Sequence, residues 1–168
     1  AEYDERDPAV LADRIAADAT TVWDDVLPPL GDDLELPFHG GVRANITTIM
    51  GVVLMEMLVH GDDIARAAGR AWGIDDADAW LALTTIAPLL PAWRDAASTP
   101  PDTISIPGPA AAALRVTCGA ADVDVTLGPP EAGDRITPES PAAALLGLFR
   151  RRPCDPPLAD LAHRFGPF

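Results

Sequence analysis

Glu56 and His60 stand four residues apart in a stretch that is otherwise mostly apolar. On a helix that spacing puts both side chains on one face, shared with Ile49, Val53 and Asp63. A carboxylate oxygen and an imidazole nitrogen are the donor types that suit Zn²⁺ or a similar divalent ion. Buried among valines, such a pair carries a large desolvation cost unless its members bind each other or an ion. The plainer alternative is an i,i+4 Glu–His hydrogen bond inside a core helix. Two donors also fall short of the three protein ligands plus water of a catalytic zinc site. At this level both readings stay open.

Other reactive residue types are sparse. Asp63 and Arg66 continue the same face, either as a carboxylate orienting His60 or as a surface i,i+3 ion pair. His39, between Phe38 and Gly40, is a possible third ligand with little to single it out. His163 reads as a surface residue. Cys118 has no neighbour that would lower its pKa and reads as a small buried hydrophobe. Arg150-Arg151-Arg152 closes a helical segment, where cations complement the helix dipole; an anion site for a carboxylate substrate is the sharper alternative. The sequence has no Gly-rich phosphate loop, no G-x-S-x-G and no CxxC.

The elements that must position these residues follow from periodicity. Asp7-Pro8 reads as an N-cap with proline at the first helical position. Apolar residues from Val10 to Val26 then recur at helical spacing, and Pro28-Pro29 stops the helix. Leu34–Phe38 with Gly40-Gly41 is irregular or a short hairpin. A second helix spans about Arg43 or Asn45 to Arg70. Its Ile46–Val59 half is apolar nearly all round, so it needs cover on most sides. Two companion helices cover it poorly, which predicts further helices upstream or a partner subunit completing the bundle. A third helix spans about Asp75 to Ala96, kinked by Pro88 and Pro91. Ala97–Asp102 reads as a linker. Beyond it, Thr103–Ile106, Leu114–Thr117 and Val123–Leu127 alternate as strands, Ser140-Pro141 caps a helix, and a short helix covers Leu158–Arg164. The fold class is α+β: a helical part over residues 1–98 and a small α+β domain over residues 99–168.

Composition narrows the function classes. The 168 residues include 26 acidic and 12 basic ones, for a net charge of −14. Every basic residue is arginine, and with the abundant Ala, Gly and Pro this resembles the coding bias of a high-GC bacterium. The charge argues against nucleic-acid binding and against anionic membranes. Two cysteines are too few for a disulfide framework, and no signal peptide opens the chain, so a cytoplasmic location is expected. The chain begins without an initiator Met, which fits a fragment.

Glu56-Met57-Leu58-Val59-His60-Gly61-Asp62-Asp63-Ile64-Ala65-Arg66-Ala67-Ala68-Gly69-Arg70 resembles the E-x-x-V-H-G-x-D-[IL]-A-R-A-x-G-R segment of the mycothiol-dependent maleylpyruvate isomerase family, within the DinB-like metal-dependent superfamily. Ser140 through Arg152 is similar to the final helix of that family's sterol-carrier-like C-terminal domain. The resemblance implies a bundle that holds one divalent ion, usually zinc, through two histidines and a carboxylate, with mycothiol as thiol cofactor. Carried over by motif, Glu56 and His60 are metal ligands and Arg152 is the catalytic arginine; Arg151 stands where the family has Gly. The family's first two helices, with their metal histidine, have no counterpart here. The implied activity is a metal- and mycothiol-dependent transferase or isomerase acting on a small electrophilic substrate. The alternative is a non-catalytic ligand-binding or interaction protein that keeps the fold without a complete metal site.

Overall fold

The computed structural model describes residues 5–31, 34–38, 41–94 and 102–165. His39 and most of the Ala97–Asp102 linker lie outside these residues.

The first helix, α1 (Pro8–Thr21), begins as its sequence predicts: the Asp7 side chain accepts from Ala9 N at 2.9 Å, and Pro8 occupies the first turn. A π-helical turn, Val22–Val26, continues it to the Pro28-Pro29 stop. The hairpin strands β1 (Glu35–Pro37) and β2 (Arg43–Asn45) pair antiparallel. Helix α2 (Ile46–Ala67) starts at Asn45, whose side chain accepts from Thr48 N at 2.8 Å. Helix α3 is Asp76–Ile86 and tightens into a 3₁₀ segment, Ala87–Trp93, instead of running on as one α-helix. Pro88 and Pro91 explain the change, since each removes a backbone donor and crowds the preceding turn.

The second half holds a four-stranded sheet in the order β5-β4-β3-β6. Its strands are β3 (Asp102–Pro107), β4 (Ala113–Cys118), β5 (Val123–Gly128) and β6 (Arg135–Ile136). β3, β4 and β5 form an antiparallel meander, and β6 joins β3 in parallel. The period-two alternation locates the first three strands; two residues of β6 are too few to show a period. Helices α4 (Pro141–Leu148) and α5 (Pro156–Ala162) close the chain. The fold class is α+β.

One hydrophobic cluster runs across the sequence boundary at residue 98. Met55, Leu58 and Val59 of α2 join Leu83 and Ile86 of α3, Ile104 and Ile106 of β3, Leu145 and Leu148 of α4, and Phe165. Cys118 is buried in it, as a small hydrophobe. The α2–α3 contact is close because Gly51 lies against Thr85; any Cβ there would collide with the threonine side chain. No described helix is long and apolar enough to cross a membrane.

The cover over α2 differs from its apolar pattern. Thr48, Gly51, Met55, Leu58, Asp62 and Ala65 form the buried seam, at the three- and four-residue spacing of one face. Val53, Met57 and Ile64 are 44%, 65% and 70% exposed. Helix α1 buries none of its residues and packs substantially only against its own continuation. An apolar groove of about 540 Å³ therefore opens between Trp23, Met50, Val53, Met57 and Leu81.

Candidate functional site around Glu56, His60 and the arginines after α4

Glu56 and His60 are adjacent in space but not buried. His60 Nε2 lies 2.8 Å from Glu56 Oε2, and the two side chains are 53% and 51% exposed. Their face is offset from the seam that α2 buries, so solvent reaches a pair that the apolar sequence places in a core. The desolvation argument for an ion accordingly loses its force, while the donor chemistry and spacing remain. On the other side of the ring, His60 Nδ1 lies 3.5 Å from Asp63 Oδ2. Among the described residues no three His, Cys, Asp or Glu side chains are grouped so as to hold a metal ion. The pair fits the carboxylate and one imidazole of the implied donor set, and the remaining imidazole has no described counterpart.

Asp63 is the hub of the next layer. It accepts from Arg66 Nη2 at 2.6 Å, and Arg151 Nε approaches it to 2.9 Å. Burial alone would raise its carboxyl; the Arg66 hydrogen bond, the Arg151 charge and the contact with His60 together outweigh that and hold it below the ordinary aspartate range. Asp63 therefore stays ionised and faces His60, Arg66 and Arg151 together.

Asp62 is the residue that sequence reasoning missed. Its side chain is 1% exposed, with Arg152 Nη2 donating to Oδ1 at 2.5 Å and Arg66 Nε 3.0 Å from Oδ2 as an ion pair without a hydrogen bond. A buried carboxylate is tolerable only with such partners. The signal was legible: Asp62 continues the Met55–Leu58 register, where an apolar residue is the norm. Arg66 also donates to the Arg151 carbonyl at 3.3 Å. The pairing of α2 with the Arg150–Arg152 segment is thus a tertiary join between the two halves of the chain.

The three arginines divide their work. Arg150 sits at φ +57° just past α4, where Gly is the usual residue because a Cβ is strained there. Arg151 N donates to Leu146 O at 2.8 Å and Arg150 N to Gly147 O at 2.9 Å, which closes the helix end. The Arg150 guanidinium donates to the carbonyls of Ala162 and Phe165, each at 2.7 Å. It thereby satisfies backbone acceptors at the end of α5, not at the end of its own helix. Arg151 meets Asp63, and Arg152 meets Asp62. Trp72 lies against Gly61, and both Trp72 and Arg152 line a pocket of about 280 Å³ beside the start of α4.

Comparison with protein-family models, with curated proteins and with solved structures finds no match for this chain.

Proposed function

We propose that the chain is a metal- and thiol-dependent isomerase or transferase of the mycothiol-dependent maleylpyruvate isomerase type, with a partial DinB-like bundle followed by a sterol-carrier-like domain. One observation carries the reading. The arginine that the final-helix motif nominates, Arg152, is ion-paired to Asp62, two residues beyond His60 of the Glu56-x₃-His60 motif. Two segments nominated by one resemblance meet at one place, through residues 90 positions apart in the sequence.

In this reading Glu56 and His60 would hold a divalent ion, zinc by donor type. Such an ion, when bound, lowers the pKa of a coordinated thiol and so supplies a thiolate at neutral pH. The chain's own contributions are distinct from that. Asp63 Oδ2 lies 3.5 Å from Nδ1 on the far side of His60, where it would orient the ring. Asp62 holds Arg152, whose half-exposed guanidinium is a fixed cation for a substrate carboxylate or enolate. The half-exposure of Glu56 and His60 leaves room for a third donor and for thiol from outside the described residues.

A second reading is favoured by a specific feature. Glu56 and His60 already satisfy each other, and an apolar opening of about 540 Å³ lies elsewhere, between Trp23, Met57 and Leu81. That combination suits a non-catalytic ligand-binding or interaction protein.

Metal analysis separates the two. Near-stoichiometric zinc in the purified protein, lost in His60→Ala, together with mycothiol-dependent isomerisation of maleylpyruvate lost in Arg152→Ala, supports the enzyme. Protein that takes up no zinc, cobalt or manganese, alone or with any preceding segment of its own polypeptide, overturns it.

A further inference from the structure

The arginine segment also forms one wall of a second cavity that the proposed reaction does not use. It lies between α4 and α5, holds about 430 Å³, and is lined by Arg150, Arg151, Arg152, Cys154, Ala159 and His163 among others. No carboxylate is among the lining residues, in a chain with 26 acidic side chains and 12 arginines. A quarter of the arginines thus border one opening.

These cations are not fully used by the protein. Arg150 is committed to the carbonyls of Ala162 and Phe165. Arg152 is tied to Asp62 through one of its nitrogens. Arg151 is the exception: its Nε is buried, lies 2.9 Å from Asp63, and yet has no hydrogen-bond partner, because the approach is off the N–H direction. Asp63 meanwhile is shared with Arg66 and His60. Three guanidiniums, those of Arg66, Arg151 and Arg152, therefore face two aspartates, Asp62 and Asp63, with Glu56 engaged by His60, while the Arg150 charge is met by carbonyls alone. The surplus is positive, and His163 adds an imidazole at the exposed rim. The acids nearest Cys154, Asp155 and Glu139, act from outside the lining; burial and those two charges push the Cys154 thiol up, which keeps it uncharged beside an incoming anion.

We propose that this cavity binds a small ligand through an oxyanion group, carboxylate or phosphate, gripped by the Arg151 and Arg152 guanidiniums with His163 at the rim. A planar guanidinium matches either oxyanion with paired N–H donors. The apolar wall of Ala159, Pro153 and Cys154 accommodates the carbon part of such a ligand. The site shares Arg152 with the proposed reaction but needs neither metal nor thiol, and it is told apart from that reaction by Arg151 and His163, which the reaction does not place against substrate.

Isothermal titration of the metal-free full chain tests it, using inorganic phosphate in one arm and succinate in the other, each against sodium chloride at matched ionic strength. Saturable binding is expected in at least one arm. Binding of phosphate alone assigns a phosphorylated ligand, and binding of succinate alone a carboxylic acid; binding of both assigns the site to oxyanions in general. Arg151→Gln should weaken the binding about tenfold, the loss of roughly one charge-assisted hydrogen bond. His163→Gln, at an exposed position that folding does not require, should weaken it by a smaller factor, and Arg14→Gln on α1 should leave it unchanged. If neither anion exceeds the chloride control, or if Arg151→Gln and His163→Gln both bind as tightly as the parent, the proposal is overturned.

Discussion

Helices α1 and α4 start alike and end up differently. Each has a polar N-cap, Asp7 or Ser140, followed by Pro-Ala and then aliphatic residues. Helix α4 buries Ala144 through Leu148 without a break, in the core shared with α3 and the sheet. Helix α1 buries nothing, and Ile15 and Trp23 are 67% and 63% exposed. Caps and propensity are therefore enough to specify a helix, while burial depends on whether the rest of the chain presents a matching surface. The same contrast runs through α2. Its Met55–Leu58 seam is sealed by α3, and its Val53–Met57 face lies open. Exposed apolar area on this scale, on two neighbouring helices, marks a surface suited to a contact.

The contrast can be broken most directly in the sealed region. Leu83 is fully buried, so Leu83→Ala should cost about 3–4 kcal/mol in urea unfolding, the transfer and cavity terms together. A loss under about 1 kcal/mol would mean that the core is not where stability resides. Next comes the join between the halves. Asp62→Ala removes a carboxylate paired to Arg66 and Arg152; about 2 kcal/mol is expected, below the range for fully buried pairs because both arginines are half exposed. In a double-mutant cycle with Arg152→Ala, a coupling indistinguishable from zero would dissolve the join.

Acid titration sharpens the comparison inside the second half. Ser105 is fully buried on β3 and donates to Asp134 at 2.6 Å, while Arg115 of β4 meets the same carboxylate at 2.8 Å. The Arg115 hydrogen bond, then those from Glu131 N and Ser105, hold the Asp134 carboxyl far below the ordinary aspartate value. Because its folded pKa is depressed, the stabilisation is complete above the unfolded value near 4 and is lost as pH falls below it toward the folded value. Stability measured between about pH 5 and pH 2 should decline in the parent and decline less steeply in Asp134→Asn. Equal slopes would remove Asp134 as a cause. The smallest effect belongs to α1: Ile15→Ala should change stability by less than about 0.5 kcal/mol, and amide exchange in residues 8–21 should be the fastest of any helix. Slow exchange there, in the chain by itself, would show that α1 is docked.

Much of the fold was legible locally. Asp7-Pro8, Asn45 and Ser140-Pro141 mark helix starts, and the alternation in Thr103–Ile106 and Leu114–Thr117 marks strands, because caps and periodicity are short-range physics. The paired prolines at 88 and 91 announced a break without saying that it would be a 3₁₀ segment. For the candidate site, spacing was enough to bring Glu56 to His60, since four residues on a helix share a face. The wrong inference was burial: an apolar composition says that a helix prefers cover, not that this chain supplies it.

What the sequence determined by itself, then, is most of the elements, though not β6 or the 3₁₀ segment, and the donor types on α2. Tertiary structure decided which face of α2 is sealed, which leaves Glu56 and His60 open and hides Asp62. It also decided that Arg150 serves the end of α5 while Arg151 and Arg152 reach back to α2. The physical reason is range. Capping and i,i+4 pairing act within one or two turns, whereas the partner of a buried carboxylate is chosen by which surfaces close over it, and here that partner lies 90 residues away.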